Sequence, residues 1–81
     1  MTYRYRKDVL DQLALHGMQP KPTTPPERVR ECLNDLYRYE IRRLRDRWRR
    51  GEFPKAAYYD LVVELRNKYG LLALRPSQLV D

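Results

Sequence analysis

One cysteine, one histidine and one serine are all that this 81-residue chain offers a catalyst or a metal ion. Cys32, His16 and Ser77 fall in separate segments, so no nucleophile has a base beside it and no Cys or His pair has ligand spacing. Three scattered glycines, Gly17, Gly51 and Gly70, cannot make a loop that cradles phosphate. A single cysteine forms no internal disulfide, which suits a reducing compartment. No run of about 18 apolar residues exists to span a membrane. The basic stretch Met1–Lys7 leads into Asp8–Leu15, which mixes charge with apolar residues and does not read as a signal peptide. These absences predict a cytoplasmic protein with no catalysis of its own and no cofactor. The carboxylate pairs Glu31/Asp35 and Asp60/Glu64 lie amid lysines and arginines and read as solvated charge on helix faces.

Arginine is what the chain has in excess. It outnumbers lysine 13 to 4, and the formal net charge is +6. A balance of this size admits nucleic acid, anionic lipid or an acidic protein as partner and selects none of them. Arginine enrichment is also what a GC-rich genome produces. Seven tyrosines are the second excess. A tyrosine buries a ring and keeps a polar tip, which serves interfaces and small wet-edged cores alike.

The hydrophobic pattern predicts an all-α protein, a single helical domain over 1–81 with helices at about 5–16, 25–50 and 54–69. Val9, Leu10 and Leu13 mark one side of the first helix, and Gly17 stops it after His16. Pro20 and Pro22 stiffen the connection. Thr24-Pro25-Pro26-Glu27 reads as a capping box with Thr24 at the cap and Pro25 at the first helical position. The long second helix would run about 38 Å. Its apolar stripe is Leu33, Tyr37, Ile41, Leu44 and Trp48, widened by Val29 and Leu36. Cys32 at the edge of that stripe reads as a small packed thiol. After Gly51-Glu52-Phe53-Pro54, a third helix repeats Tyr58, Val62, Leu65 and Tyr69 at four, three and four. That spacing is the seam of an antiparallel hairpin with the second helix. The tail, 71–81, carries Leu71, Leu72, Leu74, Leu79 and Val80 around Pro76, and is expected to lie extended in a groove.

Arg38, Arg42, Arg45 and Arg49, spaced four, three and four, form a ridge opposite the apolar stripe. From Arg38 to Arg50 there are seven arginines against Glu40 and Asp46, a net of +5. Guanidiniums along about 17 Å suit successive phosphates or an acidic protein surface. Asp35 and Asp46 at helical spacing offset part of the charge, and the bland alternative is an ordinary solvated face. Glu40 falls inside the apolar face. A carboxylate there needs a donor, an arginine or a tyrosine, so it reads as a structural charge that fixes register.

The order helix, Gly, x, aromatic, Pro, then a tyrosine-containing helix resembles the short helical hairpins of the SHOCT type, which recur at the ends of bacterial proteins. The resemblance covers about Ile41 to Leu65 and implies a hairpin and no function. The function expected is a small adaptor or accessory subunit that binds another protein or a second copy of itself. Its apolar contacts would be Tyr59 and Val63 on the third helix and Leu72 and Leu74 in the tail, with the arginine ridge beside them. The alternative is a nucleic-acid-binding protein that uses the Arg38/Arg42/Arg45/Arg49 ridge, with Tyr3, Tyr5 and Tyr39 to stack on bases. Against it stand the missing helix-turn-helix pattern and the acids Glu27 and Glu31 at the start of the second helix. Binding to a membrane surface is a third option, but the core needs the apolar stripe.

Overall fold

The structure, a computed structural model, describes all 81 residues and is all-α. Its helices are α1 (Lys7–Leu15), α2 (Pro26–Arg49) and α3 (Lys55–Lys68), followed by two 3-10 turns, Gly70–Ala73 and Pro76–Gln78. The chain packs as two compact units, one of Met1–Cys32 with Leu71–Asp81 and one of Leu33–Gly70. No helix is long and apolar enough to cross a membrane.

Two helix ends follow directly from glycine. Gly17 and Gly51 have φ of 73° and 77°, a region closed to most L side chains. Each sits two residues past the last residue of its helix, in a Schellman motif. After α1, Met18 N–H bonds the Leu13 carbonyl at 2.9 Å and Gly17 N–H that of Ala14 at 3.0 Å. After α2, Glu52 N–H bonds the Arg47 carbonyl at 3.2 Å and Gly51 N–H that of Trp48 at 2.9 Å. The other ends differ from expectation for local reasons. Tyr5 is drawn into an antiparallel bridge with Val80, so α1 begins at Lys7. The Thr24 hydroxyl accepts from Lys21 N–H at 3.0 Å and closes the preceding turn. The Pro25 carbonyl accepts instead from the N–H groups of Arg28 and Val29, and α2 starts at Pro26.

The discontinuous unit is closed by backbone pairing between the two chain segments. Arg6 N–H bonds the Leu79 carbonyl at 3.2 Å, and Asp81 N–H bonds that of Arg4 at 2.9 Å. Its buried residues are Tyr5, Val9, Leu13, Val29, Leu71 and Leu79. The tail is more structured than an extended strand. It exposes Ala73 and half-buries Leu72 and Leu74, the latter just after the first 3-10 turn. Arg30 reaches over the first turn, with Nη2 donating to the Leu72 carbonyl at 3.2 Å and Nε to that of Leu74 at 3.4 Å. Leu10 is exposed, on the margin of the α1 face that Val9 and Leu13 bury. Cys32 is exposed and free, not packed.

The second unit is the hairpin of α2 and α3, which pack closely. Two sets of ring contacts mark its register. Tyr37 meets Tyr69 with centroids 5.4 Å apart, and Trp48 stacks on Tyr58 at 4.8 Å, with Phe53 behind at 6.5 Å. Leu33, Leu44 and Tyr69 are buried, whereas α3 itself buries no residue fully. Leu36, expected in the seam, is 37% exposed. The stripe of α2 is wider than the strip that one neighbouring helix covers.

Glu40 is half-buried. Tyr69 donates its hydroxyl to Oε2, and Lys68 Nζ lies 3.2 Å from Oε1. The expected tyrosine partner is present, and the cation is a lysine where an arginine was equally expected. Burial first, then the bond to Glu40 and its negative charge, push the Tyr69 phenol far above the usual 10.0. Burial, Glu27 and Tyr3 also raise Tyr5.

Gly51→Ala should cost about 1 kcal/mol in a urea melt, because its φ is positive while nothing lies within 4 Å of an added Cβ. A second prediction concerns alkali. The unfolded chain releases the Tyr69 proton near pH 10, whereas the folded chain keeps it. Stability is therefore complete below about pH 10 and falls as pH rises further. Tyr69→Phe should cost about 1–2 kcal/mol at neutral pH and flatten that loss, leaving the smaller slope due to Tyr5. Melts at neutral pH and at about pH 11 read both effects, and an unchanged alkaline slope would refute the assignment.

Candidate functional site

Between α2 and α3, within the hairpin, runs an open groove of about 410 Å³. Tyr37 and Ile41 on α2 and Tyr58 and Val62 on α3 form its floor. All four are half-buried. Each pair is four residues apart, so each places two side chains one turn apart on one helix face. Arg38, Arg42 and Arg45 stand along the α2 bank, and Arg66 stands on the α3 bank. No acidic residue lines the groove.

Those four guanidiniums are exposed, and no hydrogen bond or ion pair engages them. Other arginines of the chain are committed elsewhere. Glu52 takes both Arg47, at 3.3 Å, and Arg50, at 3.1 Å. Those bonds hold its carboxyl below the usual carboxylate range. Arg47 also stands 5.3 Å from the centre of the Phe53 ring. Arg6 pairs with Asp8 at 2.8 Å. Arg43 and Arg47 line a different depression, of about 310 Å³, where Glu40 and Glu64 supply compensating charge. The groove therefore keeps positive charge that the fold does not use.

The ridge inferred from the sequence divides here. Arg38, Arg42 and Arg45 border the groove, whereas Arg49 is exposed but outside it. Tyr59 and Val63 are 69% and 38% exposed. They lie seven and three residues before Arg66, so all three share one side of α3, although of the three only Arg66 lines the groove. The structure thus places three residues of the ridge on the groove and leaves the apolar strip of α3 beside Arg66, outside its lining. Leu72 and Leu74 belong to the other unit and take no part in it.

Arg66 is the residue that sequence reasoning missed. Its spacing of eight and four from Tyr58 and Val62 was the available signal. Tyr5 is removed from the stacking candidates, because it is buried and its hydroxyl donates to the Thr24 carbonyl. Tyr39 is 62% exposed but does not line the groove. No group of three or more His, Cys, Asp or Glu residues is placed to hold a metal ion.

No family model, no curated protein and no solved structure matches the chain. The local resemblance of Ile41–Leu65 to SHOCT-type hairpins thus has no family match behind it and carries nothing further.

A charge-matched comparison tests whether the groove is the chain's anion site. Reversing Arg38, Arg42 and Arg45 to glutamate changes the charge as much as reversing Arg43, Arg47 and Arg50. The groove triple should release from a heparin column at clearly lower salt, because its cations have no acid beside them to compete with the polyanion, whereas Glu52 already pairs with Arg47 and Arg50. Helical content by circular dichroism should stay at the parent level in the groove triple. Equal elution of the two triples would mean that only net charge matters.

Proposed function

We propose that the chain is a non-catalytic adaptor or accessory subunit that binds another protein through the hairpin of α2 and α3. The observation that carries this reading is the combination in one groove of four uncommitted arginines with an apolar floor, with the exposed Tyr59 and Val63 on the same helix as Arg66. Exposed apolar side chains cost free energy in water and are worth burying against a partner. A phosphate backbone would gain from the arginines alone and leave Ile41, Val62 and Val63 idle. An acidic protein surface uses both. Enzymatic chemistry, a cofactor and a metal have no place in this reading. The single free Cys32 fits a reducing, cytoplasmic setting. Leu72 and Leu74 are not needed, since Arg30 already holds their carbonyls.

Nucleic-acid binding is the second reading. Arg49 favours it, because it extends the line of exposed cations past the end of the groove, as a tracked backbone requires. The two readings part at Tyr59. A photoreactive phenylalanine at Tyr59, in cells that make the protein naturally, should give a recurrent protein adduct. Reversal of Arg38, Arg42 and Arg45 should abolish it, and the same group at Asp11 of α1 should not give it. Adducts on nucleotides, or a protein adduct indifferent to the arginines, would overturn the proposal. An adduct on a second copy of the chain would turn it into self-association.

A further inference from the structure

We infer that the groove takes an acidic amphipathic α-helix of the partner, laid along α2 and α3 as a third helix. This inference rests on the adaptor reading and names the chemistry of its partner. The first ground is incomplete burial. Helical layers are stable when each buries an apolar stripe against another. In the hairpin α3 buries no residue fully, and Tyr37, Ile41, Tyr58 and Val62 remain half-open along a single line. A third helix would seat its own stripe on that floor.

The second ground is backbone satisfaction. An extended peptide binds well where a sheet edge offers amides and carbonyls to pair with. The walls of this groove are two helices whose main-chain groups are bonded within themselves, so an extended guest would enter with its backbone unpaired. A helical guest brings its own hydrogen bonds.

The third ground is charge. Arg38, Arg42 and Arg45 stand four and three residues apart, the spacing at which carboxylates recur along one edge of a helix. Arg66 waits on the opposite bank for an acid on the other edge. A guest without acids would desolvate these guanidiniums unpaired, and a basic one would be repelled. The same sign argues against a second copy of this chain, whose net charge is +6. The guest thus has apolar residues at i, i+3 or i+4 and i+7, with Asp or Glu on both flanks.

Trp48 stacks on Tyr58 at the end of the floor, and as the sole tryptophan it reports on occupancy. The probe is a synthetic peptide of about three to four turns with a leucine stripe flanked by glutamates. It is titrated against the intact protein by Trp48 fluorescence, alongside a scrambled peptide of the same composition and a single-stranded oligonucleotide. The patterned peptide should bind at least about tenfold more tightly than the scramble and gain helix on binding. Arg66→Glu and Arg42→Glu should each weaken it by about tenfold. Arg66→Gln should do so by less, and Arg49→Glu by no more than about twofold. Equal binding of the scramble, indifference to Arg66, or a tighter hold on the oligonucleotide would each overturn the inference. So would the absence of any binding by the patterned peptide. If the peptide fails while the group at Tyr59 still marks a protein, this inference falls and the adaptor reading stands.

Discussion

Tyr69 donates a hydrogen bond to Glu40 from the last turn of the hairpin, and the rest of that unit is arranged around this contact. Apolar packing alone is a weak guide to register, because leucines and valines accept many partners at similar cost. A carboxylate set into the apolar face of α2 is not so permissive. It must meet a donor or forfeit its hydration. Tyr69 and Lys68 supply that donor only when α3 runs back along α2 in one alignment. The same alignment sets Tyr37 against Tyr69 and Trp48 against Tyr58. It also carries Arg66 to the bank facing Arg38 and Arg42. A polar contact on one side of the seam thus governs the charge on the other.

Two groups stand out among the arginines that composition alone cannot distinguish. One is structural. Arg30 holds the tail carbonyls, Arg47 and Arg50 share Glu52, and Arg6 answers Asp8 and the Gln78 carbonyl. These exposed bonds are individually weak, yet each restrains a loop or tail that has little core to rest on. The other population lines the groove with no intramolecular partner. Like-charged side chains held together repel, and a short chain with little stability to spare does not gain from such a cluster unless something neutralises it.

The sequence yielded most where one element decides the outcome alone. The 3.6-residue period of α2 is visible because the helix is long, and Gly17 and Gly51 end their helices because only glycine enters the left-handed region cheaply. Glu40 stood out as a charge inside an apolar stripe. What stayed hidden depended on a second element. Cys32 and Leu36 sit on the stripe's margin, and a wheel cannot say how wide a neighbour is. Tyr5 joined a β-bridge because Val80, 75 residues later, pairs with it. Thr24 found a nearer donor in Lys21 than the amides it was expected to cap. Arg66 became part of a site only once α3 was aligned with α2.

The bridge between Tyr5 and Val80 also orders events in time. Contacts between residues this far apart require a large loop to close before they return any energy. The hairpin of residues 33–70 joins segments much closer in sequence, so on refolding it closes a smaller loop than the bridge does. Val9, Leu13 and Val29 must meanwhile wait for Leu71 and Leu79 to shield them. The middle of the chain therefore matures before either flank. A refolding chain would hold its basic groove ready for a partner before its own first helix had found a lasting home.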